Sequence, residues 1–190
     1  MNHTHEIRYA LEADASIISE LIYATSQLCC FTPEQACPDW YEASIQPAQI
    51  CKLLGSAQMA WLVATSDKAL VGVLAISDSS HVKYFFVHPA FQKLGVGRQL
   101  WQFGLDGGLL RNTVTVRSSL FAVAAYASLG FKAMEPPQVF KGMHYQTMEA
   151  NLKYDIEQGQ ADKQSGRVGP LNIKGIQAEG RRQRSAKANG

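Results

Sequence analysis

The stretch Val87-His88-Pro89-Ala90-Phe91-Gln92-Lys93-Leu94-Gly95-Val96-Gly97-Arg98 decides how this chain is read. A strand-like run ends at Pro89, which cannot donate to a sheet ladder. A Gln-x-x-Gly-x-Gly turn follows, and a segment with helical apolar spacing opens straight after it. A strand that passes through a glycine turn into a helix N-terminus gathers bare backbone N–H groups at one point, and the helix dipole adds to them. Such a point suits an anion, above all the pyrophosphate of a nucleotide-containing cofactor. Gly95 and Gly97 let phosphates approach the backbone, while Lys93 and Arg98 add positive charge. Two other phosphate loops are excluded: there is no Gly-x-Gly-x-x-Gly of the dinucleotide folds and no Gly-Lys-Ser/Thr of the Walker loop. Taken alone, the turn is equally well an ordinary loop before a helix.

Outward from the turn, residues 60–64, 70–76 and 82–87 read as three strands of an antiparallel meander, with turns at 66–68 and 78–80. Residues 94–105 read as a helix ended by Gly107-Gly108, 114–116 as a β-branched strand, and 120–129 as a helix closed by a left-handed Gly130. Residues 131–134 and 144–148 supply two last strands. Upstream, 6–10 is a short strand and 13–28 a helix with Ile17, Ile18, Leu21, Ile22 and Leu28 on one broad face, Asp14 serving as its N-cap or first-turn acid. Thr32-Pro33-Glu34-Gln35 reads as a second helix start, and Pro47 opens a third short helix to Leu54, stopped by Gly55.

Bulk properties narrow the class. A chain of 190 residues that is 46% hydrophobic and 18% charged can build one domain with a real core. No apolar run approaches the ~20 residues of a membrane span. The start Met1-Asn2-His3-Thr4-His5-Glu6-Ile7-Arg8 has no apolar leader segment, so a cytoplasmic protein is expected. Cys29, Cys30, Cys37 and Cys51 form no Cys-x-x-Cys pair and no histidine cluster accompanies them, so no metal is expected and the thiols read as incidental in a reducing compartment. Residues 1–152 carry 10 basic and 12 acidic side chains, whereas 153–190 carry 8 and 4. The folded part therefore lacks the basic signature of nucleic-acid binding. Residues 153–190 read as a polar, basic, disordered tail, in which Arg181-Arg182-Gln183-Arg184 is the one feature that would dock nucleic acid.

Two motifs in order resemble those of the GNAT superfamily of acyl-CoA-dependent N-acyltransferases. Gln92-Lys93-Leu94-Gly95-Val96-Gly97 matches the family's Arg/Gln-x-x-Gly-x-Gly/Ala turn in full. Ser119-x-x-Ala122-x-x-x-Tyr126-x-x-x-Gly130-Phe131 is similar to its Asn-x-x-Ala-x-x-x-Tyr-x-x-x-Gly-Phe block. The resemblance implies an α/β (α+β) domain over residues 1–152: a mixed, mostly antiparallel sheet of six to seven strands, flanked by about four helices and splayed between its fourth and fifth strands. It implies acetyl-CoA as co-substrate, a primary amine as acceptor and direct attack in a ternary complex, with a monomer or homodimer as the working unit. Phe86, Val87, Gln92, Lys93, Leu94, Gly95, Val96, Gly97, Arg98 and Ser119 would hold the co-substrate, with the Val87 N–H polarising the thioester carbonyl. Tyr126 matches the family's general acid for the leaving sulfur, although a core tyrosine would read the same way.

Two departures matter. Ser119 stands where asparagine is commoner, and the fourth strand carries no glutamate to act as base. His81 is the candidate replacement. Plain strand alternation would put His81, Lys83, Phe85 and Val87 on one face, and an imidazole titrates near ~6.5. The plainer alternative is a surface histidine beside a turn. Phe31, Trp40 and Tyr41 fall where a helical lid over the acceptor is expected, and His144 and Tyr145 on a far wall. The missing carboxylate also keeps open an acyl-CoA-binding module without turnover.

Overall fold

The computed structural model describes residues 5–31 and 37–152. The expected helix start at Thr32-Pro33-Glu34-Gln35 and the polar tail lie outside the described residues.

Eight strands form one mixed sheet: β1 (Glu6–Tyr9), β2 (Met59–Ser66), β3 (Ala69–Ser77), β4 (His81–Val87), β5 (Thr113–Ser119), β6 (Lys132–Ala133), β7 (Gln138–Phe140) and β8 (Met143–Asn151). Their spatial order is β1-β2-β3-β4-β5-β8-β6, with β7 also paired to β8. The strand count exceeds the expected six to seven by β7, whose three residues carry no alternation long enough to be seen in the sequence; the expected strand at 131–134 is the two-residue β6. Every pairing is antiparallel except β4 with β5.

The meander turns are set by residues that accept a left-handed backbone. Asp67 and Lys68 have φ of 49° and 68°, and Asp78 and Ser79 have 51° and 57°. Two left-handed residues in succession match the twist of the flanking strands. β2 and β3 read as continuous apolar runs because both faces of the sheet are covered: Trp61 to Ala64 and Val71 to Ile76 are all buried.

On one face lie α1 (Ala15–Cys29), α2 (Asp39–Ser44) and α3 (Pro47–Leu54), whose Ile18, Ile22, Tyr41 and Ile50 pack on Val63, Val73, Ala75 and Tyr84. The apolar stripe of α1 is narrower than its spacing suggests. Ile18, Leu21 and Ile22 are buried, but Ile17 and Leu28 are 49% and 67% exposed, and the inward line continues through Thr25 and Ser26. Asp14 does not cap α1. It accepts the Leu11 N–H at 2.7 Å and pairs with Arg8 through both carboxylate oxygens, which ties β1 to the start of the helix.

The other face carries α4 (Val96–Asp106) and α5 (Val123–Ala127). Val96, Leu100 and Trp101 pack with Leu62, Leu74, Ile76, Tyr126 and Phe131. Gly72 on β3 permits this approach, because a Cβ there would meet Leu100 at 3.0 Å and Val96 at 3.1 Å. Gly130, at φ 91°, ends the α5 region with the Phe131 N–H bonded back to the Tyr126 carbonyl. Among the described residues no helix is long and apolar enough to cross a membrane.

Candidate active site

β4 and β5 pair at only two positions, His81 with Thr115 and Val82 with Val116. Beyond them β4 stays with β3 as far as Val87 opposite Gly72, while β5 stays with β8 as far as Ser119 opposite Tyr145. The strands therefore part, and a cavity of about 580 Å³ fills the gap. Its lining comes from both faces of the sheet: the turn at 92–98 and Tyr126 on one side, and Thr25, Cys29, Cys30 and Tyr41 on the other.

At one end stands the glycine turn. Lys93 and Gly95 are left-handed, with φ of 62° and 87°, and this bend delays the start of α4 to Val96, two residues later than its apolar spacing predicts. The first amide of the segment to find a carbonyl is that of Gln99, at 2.9 Å from Gly95 O. The N–H groups of Gly95 through Arg98 are the bare donors of the α4 N-terminus. A Cβ at Gly97 would touch Phe85 and Val87 at 3.6–3.8 Å, ordinary contact, so the protein's own packing does not demand glycine there. The side chain is absent where the cavity needs the room. Gln92 donates from Nε2 to the Val87 carbonyl at 3.1 Å and so pins the end of β4 to the turn.

The direction of the β4 amides follows from the ladder. The His88 N–H bonds to Val71 O at 2.8 Å. In an antiparallel pair successive residues alternate between facing the partner and facing away. The Val87 N–H, and that of Phe85 before it, therefore face the side from which β5 has departed.

A chain that splits its sheet beside a bare-amide turn has the architecture expected of an acyl-CoA enzyme, and the profile of the acetyltransferase (GNAT) domain family matches residues 31–152. This chain belongs to the GNAT acetyltransferase family. Its fold is similar to that of a GCN5-related N-acetyltransferase from Rhodopseudomonas palustris, at 23% identity over 80% of this chain and 98% of that one, with a TM-score of 0.67. It is also similar to the PaiA N-acetyltransferase of Thermoplasma acidophilum, solved with coenzyme A, at 15% identity over 78% and 99% and a TM-score of 0.61. A variant of the spermidine N-acetyltransferase SpeG from Vibrio cholerae matches at 15% identity over 82% and 98%, with a TM-score of 0.58. No curated protein matches the sequence.

In this GNAT domain most of the residues singled out from sequence do meet at one cavity. Phe86, Val87, Gln92, Lys93, Gly95, Val96, Gly97, Arg98, Ser119 and Tyr126 all line it. Leu94 does not; its side chain is 50% exposed. Tyr126 is buried, packed edge-on against Phe85 and Phe131 at 6.0 Å and 5.3 Å between ring centroids. Its hydroxyl makes no hydrogen bond to any described residue. Burial, then the neighbouring Cys30 and Cys29, push that hydroxyl above the usual tyrosine range, so it stays protonated. Tyr41, His144 and Tyr145 line the cavity as well, while Phe31 and Trp40 do not and pack against Tyr41, at 5.6 Å and 5.8 Å.

His81 is the correction. Tyr84 opposes Ala75 and Val82 opposes Ile76, so Lys83 is an extra residue on β4, a β-bulge. The bulge inverts the alternation, and His81 falls on the face opposite Phe85 and Val87. It stands where β4 and β5 are still paired and does not line the cavity. The Thr115 hydroxyl donates to Ser80 O at 3.3 Å, so His81 Nδ1, at 2.9 Å, is the donor to Thr115 Oγ1. Burial first, then Arg117 and Lys83, hold the imidazole below its ordinary value. The ring is therefore tied to Thr115 and lies outside the cavity.

Three contributors carry no sequence motif. Thr25, 2% exposed, has an Oγ1 without a hydrogen-bond partner. Cys29 and Cys30 bring their sulfurs to 3.6 Å at the end of α1. The hydrogen bond between them lowers the Cys29 thiol and raises that of Cys30. The only foretaste was the inward line of α1 itself, since the helix reaches the cavity by tertiary packing.

Proposed function

We propose that this protein transfers an acetyl group from acetyl-CoA to a primary amine by direct attack in a ternary complex. The observation that carries the reading is the cavity through the β4/β5 split, with the bare-amide turn at one end and inside it a tyrosine hydroxyl without a hydrogen bond to any described residue.

Acetyl-CoA, when bound, supplies the acyl group as a thioester. The amides of residues 95–98, with Lys93 and Arg98, hold its pyrophosphate. Val87 donates its free N–H to the carbonyl oxygen, where negative charge grows as the amine adds. Ser119, at the open end of β5, offers a hydroxyl to the pantetheine arm. Tyr126 protonates the departing sulfur; burial keeps the proton on its hydroxyl until a thiolate forms beside it. The amine's proton passes to water in the cavity, since His81 stands outside it.

The test is thiol release from acetyl-CoA across a panel of amines, with CoA affinity measured by calorimetry. Tyr126→Phe is expected to lower kcat by about 10²-fold, the scale of one general acid, with CoA affinity retained. No turnover on any amine together with no CoA affinity sinks the reading. A specific observation favours one second reading, a binding module without turnover: no aspartate or glutamate among the described residues lines the cavity. Tight CoA binding without acyl transfer would select it.

A further inference from the structure

The cavity's charge is one-sided. Among the described residues its lining includes Lys83, Lys93, Arg98 and Arg117 and no carboxylate. Lys93 and Arg98 belong to the phosphate turn. Lys83 and Arg117 do not: they are the first residues past the last paired positions, Val82 and Val116, and so stand on the two lips of the split. Both are exposed at its mouth. Arg117 rests over the Tyr145 ring, 5.4 Å from its centroid, and Lys83 lies 5.6 Å from that of Tyr84. Among the described residues the one ion pair is Arg8 with Asp14, so neither lip has a carboxylate partner among them. Glu149, beside Thr115 on the sheet, does not line the cavity. Both cations also lie near His81, whose imidazole they help, after burial, to hold below its ordinary value. Deeper on the same side, the buried Thr25 Oγ1 has no partner within the protein and lines the cavity.

From this we infer that the acceptor is an amine that also bears an anionic group, carboxylate or phosphate, held by Arg117 and Lys83 at the lips of the β4/β5 split. An arginine fork matches either oxyanion. An acceptor with several ammonium groups would have to place uncompensated positive charge between these two cations, with no carboxylate to receive it. The same field disfavours the ammonium form of the reacting amine, which helps expose its lone pair without a dedicated base.

This inference rests on the acetyl-transfer reading, and the experiment separates the two. Thiol release by the full-length protein is followed with an amino acid, its amide, its decarboxylated amine, an aminoalkyl phosphate and spermidine. The acid or the phosphate is expected to have a KM about tenfold or more below that of the amide, the scale of one charge-assisted hydrogen bond. Arg117→Gln and Lys83→Gln should each erase that advantage while leaving the KM for acetyl-CoA unchanged. The ratio of the acid to the phosphate arm tells which anion is read. Equal use of acid and amide, or a preference for spermidine, overturns the inference. Binding is read separately by calorimetry of the N-acetylated amino acid and its amide into the protein with CoA present. Affinity for the acid that Arg117→Gln removes supports the anion site even if no amine turns over, an outcome that would fail only the transferase reading. Equal affinity for acid and amide overturns the site itself.

Discussion

Gly95 and Gly97 sit two residues apart in one turn and are glycine for different reasons. Gly95 needs its left-handed backbone, at φ 87°. Gly97 needs its emptiness, because a Cβ there meets only ordinary contacts at 3.6–3.8 Å. Gly97→Ala should therefore leave the melting temperature close to that of the parent while weakening CoA binding, and Gly97→Glu should abolish binding by setting an anion against the phosphates. Near-normal affinity in the glutamate variant would move the phosphate site elsewhere. His81 makes a second residue-scale prediction. Its folded pKa lies below the ordinary histidine value, so the unfolded chain takes up the proton first and stability falls as pH drops through about 6.5. Urea midpoints at pH 7.5 and 5.5 should differ less for His81→Asn than for the parent. An unchanged difference would mean that other groups carry the acid limb.

Among the elements, α4 is fixed by what lies under it. Its N-terminus can present amides to the cavity only if the helix lies close to β3, and Gly72 allows that approach. Gly72→Val should cost about 1–3 kcal/mol by overpacking against Leu100 and Val96, and should raise the Kd for CoA because the turn moves with the helix. Urea titration and calorimetry read the two effects; full stability with full affinity would show that α4 does not depend on this contact. The bulge on β4 is the opposite case, an element feature with no local signal. Nothing in His81-Val82-Lys83-Tyr84 marks Lys83 as extra, because a bulge is a count between two strands. Reading the strand by itself put His81 beside Val87, and pairing with Ala75 and Ile76 of β3 separates them.

At the scale of the whole molecule, every described residue that lines the cavity lies between Thr25 and Tyr145. The chain shortened after Tyr154 should keep the full CoA affinity and turnover of the 190-residue protein. A loss of either, measured by calorimetry and thiol release, would give residues 155–190 a part in the site. The same scale explains which half of the site was legible. The turn at 92–97 and the Ser119–Phe131 block are contiguous in sequence, and glycines, a proline and a register of small residues fix their local shape. The opposite wall is not contiguous: Thr25, Cys29 and Cys30 come from α1, Tyr41 from α2 and Arg117 from β5.

The sequence by itself determined the phosphate turn, the meander that leads into it and the family, because each depends on backbone preferences and spacing within a few residues. Only the tertiary structure decided that His81 stands outside the cavity, that Lys83 and Arg117 stand on the two strands that part, and that no carboxylate among the described residues lines the cavity with them. Those facts depend on how one strand registers against another and on where two parallel strands stop pairing, which are properties of the sheet and of no single stretch of chain.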